Sequence, residues 1–224
     1  MQQRTITPGL FLLTGICGVI DAATFLGLGL VFAEIMTGNL MFLAFGIGQG
    51  NAVESINTYV VPLVAFSVGA IAGGALLKGR WVRLHRRFGY VVVFCLILVA
   101  FILATLWDPS ARTTEAIIIV GVLAFAMGLQ NALVLEHAVP DVATNVMTLT
   151  LVRLLSNWSI VGGNNARWNY RIASLGIFFL GAMAGAAMLR LGLPFALGLA
   201  TVAYLTAMPW LLRGVKPIPA NSAR

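Results

Sequence analysis

Charge is what this sequence has least of. Only 9% of its 224 residues are Asp, Glu, Lys or Arg, while 60% are hydrophobic; ordinary soluble domains carry roughly 25% charged residues. A water-soluble fold could not hide that much apolar surface, so the composition points to a chain that crosses a bilayer several times. The net charge of +7 does not indicate a nucleic-acid partner. The basic residues sit in short gaps between apolar runs, where positive-inside bias concentrates them. Histidine and cysteine are nearly absent, at two of each. Cys17 and Cys95 lie in separate apolar runs, far from any pairing or ligand spacing, and so specify neither a disulfide framework nor a zinc site. The phosphate-binding pattern Gly-x-x-x-x-Gly-Lys-Ser/Thr is missing, as are Gly-x-Ser-x-Gly and His-Glu-x-x-His. The chain therefore carries no mark of a nucleotide-driven pump, implies no cofactor, and reads as a non-enzyme.

Long apolar runs are what it does have. Six can span a hydrocarbon core, which takes about 20 helical residues: Pro8–Val31, Tyr59–Leu77, Phe88–Trp107, Glu115–Leu135, Tyr170–Leu189 and Leu193–Leu212. Helix is required, because strands in lipid would leave backbone groups unpaired. The opening MQQRTITPGL leads into a stretch too long for a signal-peptide core, so the first run is expected to stay as a span. Nothing marks a linker, and residues 1–224 read as one integral membrane domain.

Two further segments fall short. Met36–Gly48 is apolar, but its 13 residues reach only about 20 Å at the helical rise, against a core of about 30 Å. Val142–Trp158 is longer yet holds Thr144, Asn145, Thr148, Thr150, Arg153, Ser156 and Asn157, and an Arg at the centre of a span costs about 2.5–3.5 kcal/mol on insertion scales. Both are predicted to be half-helices that dip in and return. Six spans then place Arg4, Lys78, Arg80, Arg83, Arg86, Arg87, Arg153, Arg167, Arg171, Arg213, Lys216 and Arg224 on one face and leave Arg112 and Arg190 on the other, 12 against 2 of the 14 basic residues. Eight spans would divide them about 8 to 6 and violate the positive-inside rule. The expected topology has both termini cytoplasmic, in a bacterial inner membrane.

The two halves resemble each other. GAIAGGALLK from Gly69 matches GAMAGAAMLR from Gly181, Met36-Thr37-Gly38-Asn39-Leu40 matches Met147-Thr148-Leu149-Thr150-Leu151, and Asp21-Ala22 matches Asn131-Ala132. The offsets stay between 110 and 112 residues, one register for three matches. Each copy (about 8–107 and 115–212) holds three spans, an odd number, so the second must be inverted relative to the first. Many secondary transporters build two related gates around one site in this way. The expected fold class is thus an all-α membrane protein with six transmembrane helices, two half-helices and two inverted-topology repeats.

Gly18-Val19-Ile20-Asp21-Ala22, Met36-Thr37-Gly38-Asn39, Gln130-Asn131-Ala132 and Pro140-Asp141-Val142 with Thr144 together resemble the YoaK family, small bacterial inner-membrane proteins. The resemblance covers most of the chain and implies the membrane topology; it implies no substrate. Thr148-Leu149 departs from it, since similar proteins carry a second Thr-Gly there.

Asp21 is the sharpest chemical signal, because an ionisable residue well inside a span is expensive and functional by default. Structural pairing is the competing account, with Arg153 or Asn131 as partner. Asn131, its repeat mate, has the same shape without the charge. Thr37-Gly38-Asn39 and Thr148-Leu149-Thr150 stand near the half-helix starts, where free N–H groups can meet a polar or anionic group or be capped in the ordinary way. Arg153 can counter Asp21, bind an anion or snorkel to the surface. Gln130 completes the candidate set with Asp21, Thr37, Gly38, Asn39, Asn131, Thr148, Thr150 and Arg153. Glu34, Glu136, His137 and Asp141 are expected near the two mouths. His137 and Asp141 are four apart but separated by Pro140, and two ligands do not make a metal site.

The favoured function is a secondary transporter or facilitator for a small polar or amphipathic solute, with proton coupling through Asp21 as one form of it. A non-transporting accessory protein and, less favoured, a membrane-embedded enzyme are the alternatives. The implied partners are the lipid bilayer and the solute, with a homo-oligomer left open. A central polar cavity lined by Asp21, Thr37, Asn39, Asn131, Thr148 and Thr150 is expected between the repeats.

Overall fold

The computed structural model describes residues 2–78, 82–135, 147–165 and 167–213. These form α1 (Gln2–Gly27), α2 (Met36–Gly48), α3 (Ala52–Leu76), α4 (Val82–Trp107), α5 (Thr114–Leu135), α6 (Met147–Ser156), α7 (Trp168–Met188) and α8 (Leu193–Arg213), with a 3-10 turn at Ser159–Val161 and no strand among the described residues. Among the described residues, six helical stretches are long and apolar enough to cross a membrane: Thr7–Gly27, Ala52–Leu76, Arg86–Trp107, Thr114–Leu135, Trp168–Met188 and Leu193–Arg213. The number agrees with the apolar pattern, and α2 and α6, of 13 and 10 residues, are the short elements expected. Arg80, Trp81, Glu136, His137, Pro140, Asp141, Val142, Thr144, Asn145, Lys216 and Arg224 lie outside the described residues.

Boundaries differ from the apolar runs where turn chemistry or polar helix ends intervene. Apolar character continues to Val31, but α1 stops at Gly27, and positive φ at Gly29 (111°) and Leu30 (65°) turns the chain back. A side chain at position 29 would also collide, its Cβ falling 2.6 Å from the Arg112 side chain. Arg112 N donates to Leu28 O at 3.3 Å, which holds the α4–α5 connection against this turn. α3 begins ahead of its apolar run, taking in Glu54, Ser55, Asn57 and Thr58, and α4 likewise begins ahead of Phe88, carrying Arg86 and Arg87 into its early turns.

Packing centres on α1 and α5, the most enclosed spans. α3 lies along α5 and α1 along α7; α8 contacts α1 and α4, α4 contacts α5, α2 rests on α3 and α6 on α7. In lipid no hydrophobic force drives helices together, so close packing through small residues has to do it. A Cβ on Gly69 would lie 2.1 Å from Phe125 O, and one on Gly128 2.1 Å from Phe66 O. At the α1–α7 crossing a Cβ on Gly181 would lie 2.1 Å from Gly15 O, and one on Gly18 2.4 Å from Phe178 O. The small-residue stretches are thus the surfaces on which backbones touch. The outward faces are apolar: Ile71, Leu106, Phe179 and Val202 are 61–72% exposed, a belt that water would penalise and acyl chains accept.

Gly128→Ala should therefore force α3 from α5 and lower stability by about 1–3 kcal/mol, the usual cost of overpacking. Gly74→Ala, which meets nothing within 4 Å, should be neutral or slightly stabilising. Thermal unfolding of the two variants in detergent checks the pair, and a neutral Gly128→Ala would contradict backbone contact at this crossing.

Candidate functional site

Asp21 organises the first half-helix. It lies about 9 Å along the helix axis before the end of α1, and its Oδ1 accepts hydrogen bonds from the backbone N–H groups of Ala33 (3.0 Å) and Glu34 (2.9 Å). The chain has thus doubled back along α1 before α2 begins. These bonds satisfy two donors that have no helix of their own. Asn39 makes the second clamp: its Oδ1 accepts from Phe32 N at 2.9 Å and its Nδ2 donates to Phe32 O at 2.8 Å. Gly38 leaves room for the Phe32 ring, since a Cβ there would lie 2.8 Å from it. Phe32 stacks on Phe25 with ring centres 4.5 Å apart. From this anchor α2 runs back toward the end at which α1 stopped, where Gln49, Asn51 and Arg112 line a cavity of about 280 Å³ and Arg112 pairs with Glu54. The half-helix enters and leaves on one side.

The start of α2 and the start of α6 line one cavity. Met36 and Thr37 from one and Met147 and Thr148 from the other line a cavity of about 480 Å³, together with Asp21 and Glu34. Ile35, Phe66 of α3 and Phe178 of α7 complete the described walls. Both carboxylates are buried, 4% exposed at Asp21 and 5% at Glu34. Asp21 Oδ2 and Glu34 Oε2 have no hydrogen-bond partner among the described residues, so each residue brings unused acceptor capacity to the cavity.

Residues 9–209 match the model of a family described as "Protein of unknown function (DUF1275)". The chain belongs to this family. A curated relative, the UPF0700 transmembrane protein YoaK of Bacillus subtilis (strain 168), is 31% identical over 145 residues, covering 63% of this chain and 62% of that protein. The match thus spans about three fifths of the relative's length. No solved structure matches. The membership agrees with the resemblance carried by Asp21 and the Met36–Asn39 motif, and the spans and relative together make this DUF1275 chain a multi-pass membrane protein.

Of the candidate residues in this DUF1275 member, the cavity brings Asp21, Thr37 and Thr148 together. Gly38 and Asn39 instead hold the returning loop. Asn131 donates from Nδ2 to Glu34 Oε1 at 3.3 Å, so it reaches the site through Glu34. Gln130 is buried between α1 and α5, with Nε2 3.5 Å from Cys17 Sγ and Oε1 unpartnered. Thr150 is buried on α6 and is not a described wall residue.

Asn39, Asn131 and Thr150 are thus not among the described walls of the cavity they were expected to line, and two further expectations need correction. Arg153 does not reach Asp21: it is exposed on α6, and its carbonyl accepts from the guanidinium of Arg171 and from Asn157 Nδ2. A C-terminal helix carbonyl capped by Arg follows the helix dipole, which favours a cation at that end. Glu34 is not at a mouth, because the Asp21 anchor pulls it to the cavity wall. The signal for Glu34 was its position two residues before Met36: the 111-residue register pairs it with Asn145. No group of three or more His, Cys, Asp or Glu fit to hold a metal occurs among the described residues, and the His137–Asp141 pair lies outside them.

Asp21→Ala should strand the N–H groups of Ala33 and Glu34, at about 1–3 kcal/mol for each unsatisfied buried group. Asp21→Asn keeps an oxygen acceptor and should be much less destabilised. Asn39→Ala should resemble Asp21→Ala. Thermal unfolding in detergent separates these cases; equal loss in Asp21→Asn and Asp21→Ala would argue against an acceptor role for Oδ1.

Proposed function

We propose that this multi-pass membrane protein is a secondary transporter or facilitator of a small polar or amphipathic solute, built from two inverted repeats, α1–α4 and α5–α8. The carrying observation is a symmetry of packing. Exchanging α1 with α5, α2 with α6, α3 with α7 and α4 with α8 turns each packed pair into a packed pair: α3 on α5 becomes α7 on α1, α1 on α8 becomes α5 on α4, α2 on α3 becomes α6 on α7, and α4 on α8 maps onto itself. The correspondence extends to single residues. Gly69 against Phe125 O maps on Gly181 against Gly15 O, Gly128 against Phe66 O on Gly18 against Phe178 O, and Gly73 beside Leu129 and Ala132 on Gly185 beside Val19 and Ala22.

The cavity has the same character: Met36, Thr37 and Phe66 are repeat counterparts of Met147, Thr148 and Phe178. A wetted site between broken helices at a repeat interface is where secondary transporters hold their solutes. It also gives the Asp21 carboxylate a reason to be at membrane depth, where proton coupling would act. The division of 12 basic residues against 2 among the 14 supports an inner-membrane orientation with cytoplasmic termini.

Accessibility tests this reading. In a background with Cys17 and Cys95 replaced, cysteine at position 83 should react with an impermeant thiol reagent only from the cytoplasmic side, and cysteine at 50 or 112 only from the opposite side. Thr37→Cys should react from both sides as the cavity opens alternately. Protection of position 37 from both sides would support the accessory-protein reading, and reaction from one side alone would contradict alternating exposure.

A further inference from the structure

We propose that the cavity between α2 and α6 binds a small organic monocation, an ammonium group carried on an apolar body, with Asp21 and Glu34 as its counter-charges and Phe66 and Phe178 as its aromatic walls. The inference rests on the solute-binding reading of the same cavity and names the chemical class.

Charge comes first. Asp21 and Glu34 both line the cavity, both are more than nine-tenths buried, and each keeps an oxygen with no hydrogen-bond partner among the described residues. No Lys or Arg is among the described wall residues. A buried carboxylate without a compensating charge is costly and otherwise takes up a proton, so two of them beside one cavity favour an occupant that stabilises the ionised form, a cation, and reject an anion. The starts of α2 and α6 oppose this, since each helix N-terminus carries roughly half a positive charge. Together they offset about one of two negative charges when both carboxylates are ionised, leaving about one for the ligand to neutralise.

The remaining walls separate an organic cation from a metal ion. Hard cations take shells of oxygen ligands, whereas Met36, Met147, Phe66 and Phe178 are also among the residues lining this cavity. A volume of about 480 Å³ is that of a small-molecule pocket. Phenyl faces attract ammonium groups through the ring quadrupole, and methionine accommodates apolar bodies of varied shape.

The test uses three ligands that share one ring and differ in charge: benzyltrimethylammonium, benzyl alcohol and benzoate, titrated calorimetrically into the purified full-length protein in detergent. The cation should bind about tenfold or more tightly than the other two. Asp21→Asn and Glu34→Gln should each weaken it by about tenfold or more, as loss of one partner of a buried charge pair does, and Phe66→Leu or Phe178→Leu should weaken it several-fold. Glu34→Gln keeps the reading open should Asp21→Asn misfold, because the Glu34 side chain anchors no backbone group in the structure. Absence of cation binding, equal binding of benzoate or benzyl alcohol, or binding unchanged in both carboxamide variants would overturn the inference. Flux into proteoliposomes separates the two claims. Cation binding without flux removes the transport reading alone, and flux of a neutral or anionic solute without cation binding removes this inference alone.

Discussion

Backbone polar groups have no water to turn to inside a bilayer, and a chain that stops a helix at membrane depth must supply partners from its own side chains. Asp21 meets that demand for the first half of this protein. Its single Oδ1 receives two consecutive N–H groups, which fixes the chain that folds back along α1 after Gly27. The start of α2, the place of Glu34 and the depth of the cavity all follow from that return. Asn39 and the Phe25–Phe32 stack hold the same loop from its other side, so the half-helix is set by a clamp rather than by propensity. Its other carboxylate oxygen is left over, which makes one residue both a structural anchor and a source of binding capacity.

The glycine crossings supply the second constraint. Each middle span, α3 or α7, packs on the first span of the other half, and the half-helix it carries is brought toward the opposing half-helix start. Stability and site are therefore linked: the crossings that join the halves also set Phe66 and Phe178, whose carbonyls lie against Gly128 and Gly18, as walls of the cavity. A residue larger than glycine at these crossings acts on the site even though it touches no ligand.

Much of this was legible from hydropathy and spacing. Spans are read well because lipid imposes length and apolarity together, and the basic residues distinguish six spans from eight. The short length of 36–48 signalled a segment that cannot cross. The side-chain partners of Asp21 were not legible, because a carboxylate in a span has two ways to be satisfied, a basic residue or free N–H groups, and sequence favours the charged partner it can see. Arg153 was that partner, but its helix is too short and too exposed to bring it to the centre. Glu34 was underrated for the complementary reason: a loop residue near a span end reads as surface unless the loop is known to turn inward. Asn39 looked like a ligand-facing residue in a motif, whereas both ends of its amide are used by Phe32.

The central claim is that the two half-helix starts face each other across one interior site. Its most direct measurement is cross-linking of Thr37→Cys to Thr148→Cys, in a chain otherwise lacking cysteine, by a short bifunctional thiol reagent in native membranes. The account predicts efficient intramolecular cross-linking of this pair and none between Thr37→Cys and a cysteine at Arg153, on the exposed face of α6. Failure of the 37–148 pair to cross-link while each cysteine reacts singly, or efficient linkage of 37 to 153, would contradict it.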